Sequence, residues 1–340
     1  MERKEDKTMR ALKMGIPLSA MALVCLLFAC AEMGPSVKPA PPQEKKIIRI
    51  ASPFKGGIVV EAAEKFKELV EKGSGGRFEF KIDAGTKSEI DINKMNRNGE
   101  IEMQSNGTAF LEYYAPPYYF FTGPYVMRDF DHYMRVWNGK LGKDARAQLE
   151  KNDLKYLATI YRGLRQTTAK KPIYTPADVY KLKLRLPPIP SWMAVWKAIG
   201  ADPVAVPLPE LYDSLKTGKA EASEGDLPQI QSFKLYQVQS HLIITNHLVQ
   251  TAGILIHKPF FDKLSKADQD LFIKAGKETE EWANNKIKTG EAAILVDLQR
   301  QGMQVVIPDA NSFREKAKPA VEELFKTQWT VTTWAEVLAQ

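Results

Sequence analysis

From Ile47 onward the chain alternates short β-rich runs with stretches of helical apolar spacing, and the same order occurs twice. Residues 47–52 read as a strand. Val59, Ala62, Ala63, Phe66, Leu69 and Val70 recur at helical spacing within 59–72. Residues 77–83 place Phe78, Phe80 and Ile82 on one face and predict a second strand. A short helix over 88–98, capped by Ser88, and a strand over 100–106 complete a βαβαβ unit. The later run repeats it: strand 182–186, helix 191–199, strand 203–206, helix 210–216, strand 220–224. The third strands begin alike, with GEIE at 99–102 and GKAE at 218–221. This order argues for an α/β fold with largely parallel sheet in two lobes of similar topology.

Five further segments complete the plan. Residues 155–160 read as a strand, and 241–247 and 251–257 as two more, joined at 248–250 and suited to crossing between lobes. Residues 266–302 contain few helix breakers and read as one very long helix, or two nearly continuous ones, long enough to run along both lobes. Residues 303–340 add a strand at 304–307 and two helices. The expected division is 47–162 with 251–290 as lobe I and 163–250 with 291–340 as lobe II. Ligands bind beyond the carboxyl ends of strands in open α/β sheets and at domain interfaces, so the cleft between lobes is the expected site.

The N-terminus reads as an export leader. Arg3, Lys4, Lys7, Arg10 and Lys13 precede the apolar run MGIPLSAMALVCLLFA at 14–29. That run is shorter than the roughly 20 residues a spanning helix needs, and the charged-then-apolar pattern is that of a signal peptide over 1–29. Leu27, Phe28, Ala29 and Cys30 resemble a bacterial lipobox, in which the cysteine is acylated; an uncleaved N-terminal anchor is the alternative. Both place the folded part outside the cytoplasmic membrane. Residues 30–46 hold four prolines and no apolar periodicity, and read as a lipidated tether.

Composition excludes more than it assigns. Residues 1–29 take five basic and three acidic residues with them, leaving a charge near +5 with both signs interspersed. A mixed surface of this kind argues against nucleic-acid binding and mildly favours anionic ligands. Both cysteines, Cys25 and Cys30, lie in the leader region, so the folded part has no disulfide and no thiol nucleophile. His132, His241, His247 and His257 form no metal-ligand pattern, and no nucleotide-binding or nucleophile motif is present. No cofactor is expected.

The candidate chemistry is cationic. In KLKLRL at 181–186 the leucines alternate with Lys181, Lys183 and Arg185 until Pro187 and Pro188 end the strand. Arg185 is thus placed at the carboxyl end of its strand, where a guanidinium fork could pair a carboxylate; a surface salt bridge is the alternative. Arg165 follows the strand at 155–160 in the same manner. Trp192 and Trp196 share a helix face, with core packing expected for Trp196 and a pocket wall for Trp192. Tyr113 to Tyr125 is read chiefly as aromatic packing.

The stretch GLRQTT at 163–168 precedes LKLRLP at 182–187, AIGADPV at 198–204, Glu210-Leu211-Tyr212 and LYQVQ at 235–239. In order and spacing these pieces resemble the solute-binding proteins of tripartite ATP-independent periplasmic (TRAP) transporters, the DctP-like family, over about 47–326. The resemblance implies a two-lobed periplasmic binding protein with a cleft between lobes and a long helix spanning both. It implies an organic-acid ligand, membrane subunits of a TRAP transporter as partner, and binding without turnover. Arg185 is implied as the carboxylate partner, Arg165 as a second contact and Asn106 as a first-lobe contact. Glu224, Asp226, Trp192, Gln250 and Phe54 complete the candidate set. Two departures stand out. Gly225 occupies a position where the family often has asparagine, and Leu208 one where an aromatic residue is common, which suggests a roomier or less polar pocket there. A sensing lipoprotein for a membrane receptor, or a hydrolase or lyase using Glu224 and Asp226 as an acid–base pair, are the rival readings.

Overall fold

The first strands to form pairs set the pattern for both halves. In the computed structural model, which describes residues 45–340, β1 (Lys46–Ser52), α1 (Ile58–Gly73), β2 (Phe78–Ala84), α2 (Glu89–Asn98) and β3 (Met103–Gly107) follow in order. The expected signal peptide and Cys30 lipidation lie outside the described residues, as does nearly all of the tether. β1 is central, parallel to β2 along its length and to β3 at Ile50 and Ala51. The local causes are those of the sequence. α1 buries Val59, Ala62, Ala63, Phe66 and Val70 on one stripe. α2 starts where the Ser88 hydroxyl accepts from the Asp91 N–H and stops where Gly99 turns left-handed at φ 75°.

α3 (Ala109–Tyr114), a 3-10 turn at Pro116–Thr122, α4 (Phe130–Asn138) and α5 (Lys140–Glu150) lead to β4 (Leu154–Ala169). The second unit is β5 (Lys183–Leu186), α6 (Pro190–Ile199), β6 (Asp202–Ala205), α7 (Leu211–Lys216) and β7 (Ala222–Asp226). Here β5 is central, parallel to both β6 and β7, as β1 is to β2 and β3. After α8 (Leu227–Ser232) comes β8 (His241–His257), then α9 (Lys258–Asp262), α10 (Lys266–Arg300), β9 (Gln304–Val306), α11 (Ala310–Thr327) and α12 (Trp334–Leu338). The sheet order is β2-β1-β3-β8-β4-β7-β5-β6, with β9 on β8. β3 joins the C-terminal part of β8, and β7 joins the C-terminal part of β4. One sheet therefore runs through both halves, carried by two long antiparallel strands.

Two expectations change here. The strand expected at 155–160 continues to Ala169, so Arg165 lies inside it and not beyond its end. The runs at 241–247 and 251–257 are one strand of 17 residues. In both cases irregular pairing hides the continuity. The β4–β8 register shifts at Tyr156/Ala158, Tyr161/Gly163 and Arg165/Thr167, and Gly163 and Asn246 take positive φ of 104° and 44°. Bulges of this kind bend a strand and break its period of two without ending it. The alternation expected in KLKLRL also fails: Lys181 precedes β5 at φ 58°, while Leu184 and Arg185 are both buried. A strand flanked on both edges and covered on both faces has no solvent side to alternate toward.

α10 spans 35 residues, about 52 Å at 1.5 Å per residue. Its Phe272 packs edge-on to Phe66 of α1 and Phe78 of β2 at 5.7 and 5.2 Å. Near its other end Asp297 accepts from Gln231 of α8 at 2.6 Å. Between them the helix is fastened to the irregular β4: Glu280 accepts from Thr159 N–H (2.6 Å), Asn284 from Tyr161 N–H (2.7 Å) and Glu291 from Leu164 N–H (3.3 Å). These are strand amides turned away from a regular ladder, and leaving them buried and unpaired would cost free energy. α12 returns to the first half, where Val337 O meets His132 Nε2 at 2.9 Å.

The approach of α10 to β4 is close enough to test. A Cβ at Gly276 would stand 2.5 Å from the carbonyl oxygen of Leu157, a bulged residue, whereas Gly290 in the same helix has open space. We expect Gly276→Ala to destabilise by roughly 1–2 kcal/mol net of its better helix propensity, and Gly290→Ala to stabilise by roughly 0.5–1 kcal/mol. Denaturant unfolding of the two variants checks this; equal effects of one sign would contradict the packing.

Candidate functional site

Three arginines meet in one buried space. Arg162 and Arg165 come from β4, three residues apart, a spacing that puts side chains on opposite faces of a regular strand. The bulge at Gly163 corrects the parity, and both line the same cavity. Arg185 enters from β5. Phe54, just past β1, lies 4.4 Å from the Arg162 guanidinium, and Trp192 of α6 lies 5.0 Å from that of Arg165, the geometry of cation–π stacking. Trp192 is held by its indole N–H, which donates to Thr122 O at 2.8 Å.

Two carboxylates lie behind the arginines. Arg165 grips Glu224 with a two-pronged fork: its Nε pairs with Oε2, and its Nη2 donates to Oε1 at 2.6 Å and to the Glu224 carbonyl at 3.0 Å. Its Nη1 donates to Gln250 Oε1 at 3.0 Å. Glu224 also takes His247 Nε2 at 3.1 Å, while His247 Nδ1 meets the Thr245 hydroxyl at 2.8 Å. Burial pushes the Glu224 carboxyl up, but Arg165 and then His247 outweigh it and hold it at about 2. Burial holds the His247 imidazole below its ordinary value against the pull of Glu224. Asp226 ion-pairs with Arg162 at 2.7 Å and caps α8 by accepting from Gln229 N–H at 2.9 Å. A carboxylate held this low and occupied on both oxygens is a poor proton carrier near neutral pH.

Arg185 differs from its neighbours. It is 1% exposed, its Nε donates to Val206 O at 2.9 Å, and its Nη2 has no hydrogen-bond partner among the described residues. No carboxylate among the described residues pairs with it. Burial pulls the guanidinium down to about 10, with Glu224 acting against the shift from a distance. A buried, unpaired cation with a free donor is expensive unless an anion completes it.

Of the expected contacts, Arg185, Arg165, Trp192, Gln250 and Phe54 line the cavity together. Glu224 and Asp226 do not; their oxygens face the arginines. Asn106 does not line it either: its Nδ2 lies 2.9–3.2 Å from Gln104 Oε1, Asn93 Oδ1 and Glu89 O, which ties β3 to α2. The space opened by Gly225 is not free, since a Cβ there would stand 2.7 Å from Gln229 Nε2. Gln229 fills the gap and brings an amide to the wall. The cavity's free volume is about 30 Å³. Sequence reasoning missed Arg162, Glu89 and Gln229, all lining residues, while Tyr119, also lining, belongs to the aromatic run of which one or two members were expected to face ligand. Arg162 immediately precedes the GLRQTT stretch that holds Arg165 but is on the wrong parity for a regular strand, and Glu89 reads as an ordinary acidic first-turn residue.

The Glu224 pair has a pH signature. A carboxyl lowered from 4.5 to about 2 by folding contributes stability that is complete above pH 4.5 and is lost as pH falls toward 2. We therefore expect Glu224→Gln to be less stable than the natural protein by roughly 3–5 kcal/mol at neutral pH, with the gap closing between pH 4.5 and 2. Denaturant unfolding across that range checks it; a gap independent of pH would contradict the ion pair.

Comparison with known proteins identifies the architecture around this cavity. The profile described as bacterial extracellular solute-binding protein, family 7 (DctP), matches residues 55–328. A sialic acid-binding periplasmic protein of Vibrio cholerae is 33% identical over 201 residues, 59% of this chain and 63% of that one. A 2,3-diketo-L-gulonate-binding periplasmic protein of Escherichia coli is 28% identical over 268 residues, covering 78% and 82%. Among solved structures, a TRAP periplasmic solute-binding protein from a Polaromonas species, bound to D-erythronate, superimposes with a TM-score of 0.82 at 28% identity, covering 87% of this chain and 99% of that one. The chain belongs to this extracellular solute-binding family, the periplasmic solute-binding proteins of TRAP transporters.

Proposed function

We propose that this protein captures a small organic carboxylate in the arginine cavity and delivers it to the membrane subunits of a TRAP-type secondary transporter. The observation that carries the reading is Arg185, a buried guanidinium with an unpartnered Nη2 and no counter-charge of its own. A ligand carboxylate would supply both. Sialic acid, 2,3-diketo-L-gulonate and D-erythronate, named for the relatives above, are all carboxylates.

The lobes of this reading are residues 47–162 with 251–290 and 163–250 with 291–340. Phe54, Glu89 and Tyr119 come to the cavity from the first, Trp192, Arg185 and Gln229 from the second, and both kinds of wall are needed to surround a ligand. With so little free volume, an organic acid enters only when the walls part. Ligand then favours the closed arrangement because only that arrangement surrounds it. Gly163 and the bulges of β4 supply a flexible crossing. Cys30 would carry the lipid anchor, and residues 30–46 the tether that holds the domain at the outer face of the membrane. No helix among the described residues is long and apolar enough to cross a membrane.

The test is a thermal-shift screen of the purified protein against organic acids, followed by calorimetry with the acid that raises the midpoint most. Binding to the native state raises the midpoint by mass action. Arg185→Ala is expected to lose roughly 2–5 kcal/mol of binding, about 30-fold to several thousand-fold in Kd, while circular dichroism shows the fold retained. Submicromolar affinity surviving in Arg185→Ala would sink the assignment. Uptake of the same acid by vesicles carrying the membrane subunits, only when this protein is added, tests delivery.

A further inference from the structure

Glu89 is the one carboxylate among the described residues that lines the cavity, and no arginine ion-pairs with it there. It is the first residue of α2, and no donor among the described residues hydrogen-bonds its side chain. Its Oε1 lies directly over Gly107 of β3, where a Cβ would collide with it and where Arg162 Nη1 would stand 3.9 Å away. The glycine therefore makes room for the carboxylate at the cavity wall. The Tyr119 hydroxyl, buried and also lining the cavity, has no hydrogen-bond partner among the described residues. Burial pushes the Glu89 carboxyl above its ordinary value, a shift that Arg162, then Arg185 and Arg165, reduce without reversing.

We propose that Glu89 sets the specificity of this cavity, its carboxylate accepting hydrogen bonds from the hydroxyls of a hydroxylated monocarboxylate and repelling the second carboxylate of a diacid. The inference rests on the reading of the cavity as a carboxylate site and names the rest of the ligand. In the ionised form, which the three guanidinium groups favour, the Glu89 carboxylate only accepts hydrogen bonds, so it needs a donor opposite it, and hydroxyls are donors that carry no charge. The cationic side of the cavity cannot neutralise two ligand carboxylates. Arg162 and Arg165 are already balanced by Asp226 and Glu224, which leaves Arg185 for one anion. A second carboxylate would meet Glu89 in a space with little water, where like charges interact strongly. An ammonium group would suit Glu89 alone but would lie among three guanidinium groups. Specificity here comes from a repulsive element built beside an attractive one.

The test compares acids matched in length: D-erythronate with tartrate, and L-galactonate with galactarate, with threonine as the amino-acid control. Calorimetry on the purified full protein reads Kd for the natural sequence, Glu89→Gln and Glu89→Asp. The natural protein is expected to prefer the monoacid of at least one pair by about 30-fold or more, Glu89→Gln to narrow that ratio by about tenfold or more through tighter diacid binding, and Glu89→Asp to keep it within about threefold. Because the readout is a ratio, a general loss of folding does not move it. A ratio unchanged in Glu89→Gln, a natural preference for the diacid, or tighter binding of threonine overturns the proposal. If the unchanged ratio comes with binding that Arg185→Ala abolishes, only the role of Glu89 fails. If none of the four acids binds the natural protein, this inference and the carboxylate reading fall together.

Discussion

Three guanidinium groups share one buried space, and only two of them are paired with a carboxylate among the described residues. The rest of the structure follows from managing that imbalance. Arg165 is engaged at all three nitrogens: Nε and Nη2 meet Glu224, Nη1 meets Gln250, and its face stacks on Trp192. Arg162 is balanced by Asp226 and stacks on Phe54. Each pair removes a charge that would otherwise make the cavity too costly to bury, and each holds its arginine in one orientation. What remains is Arg185, in a four-residue strand between two parallel neighbours, which makes no ion pair among the described residues and feels Glu224 and Glu89 only from a distance. The buried histidine behind Glu224 belongs to the same arrangement. By donating from Nε2 it keeps the carboxylate ionised, and Thr245 fixes the ring from the other side.

The scaffold brings these groups together by using one topology twice. β1 with β2 and β3, and β5 with β6 and β7, are the same arrangement of a central strand with two parallel neighbours. β8 and β4 then link them as antiparallel partners of β3 and β7. Because a single sheet crosses from one half to the other, the irregularities needed for function are concentrated in the crossing. The Gly163 bulge turns Arg162 and Arg165 to the same side, bends β4, and releases amides that α10 then satisfies.

Much of this was legible in the sequence, and the failures share a cause. The two βαβαβ runs, the Ser88 cap and the long helix follow from local periodicity, which the structure keeps. Arg185, Arg165, Trp192, Phe54 and Gln250 reach the cavity as expected. The strands at 155–160 and 251–257 were too short on sequence grounds because bulges break the period that marks a strand. The same loss of parity hid Arg162. Glu224 and Asp226 were recognised as important, but sequence gives no sign of whether a carboxylate faces a ligand or an arginine. Glu89 looked like a residue placed for the helix terminus, and only the collision it would have with any side chain at Gly107 shows where it points. Gly225 suggested empty space because the reach of Gln229, one helical turn on, depends on how α8 is capped.

The fastening of α10 to β4 carries a consequence for how this sequence can drift. Glu280, Asn284 and Glu291 fall at spacings of four and seven, one face of the helix, and each serves as an acceptor for a backbone N–H that the strand's irregular pairing leaves open. What natural selection reads at these positions is a lone pair at the right height, not a charge. Glutamine or glutamate, asparagine or aspartate should exchange there with little penalty, while lysine, arginine or any apolar side chain should be purged. In an alignment the three positions would form a column pattern blind to sign, unlike the arginine cavity a few ångströms away, where sign is everything.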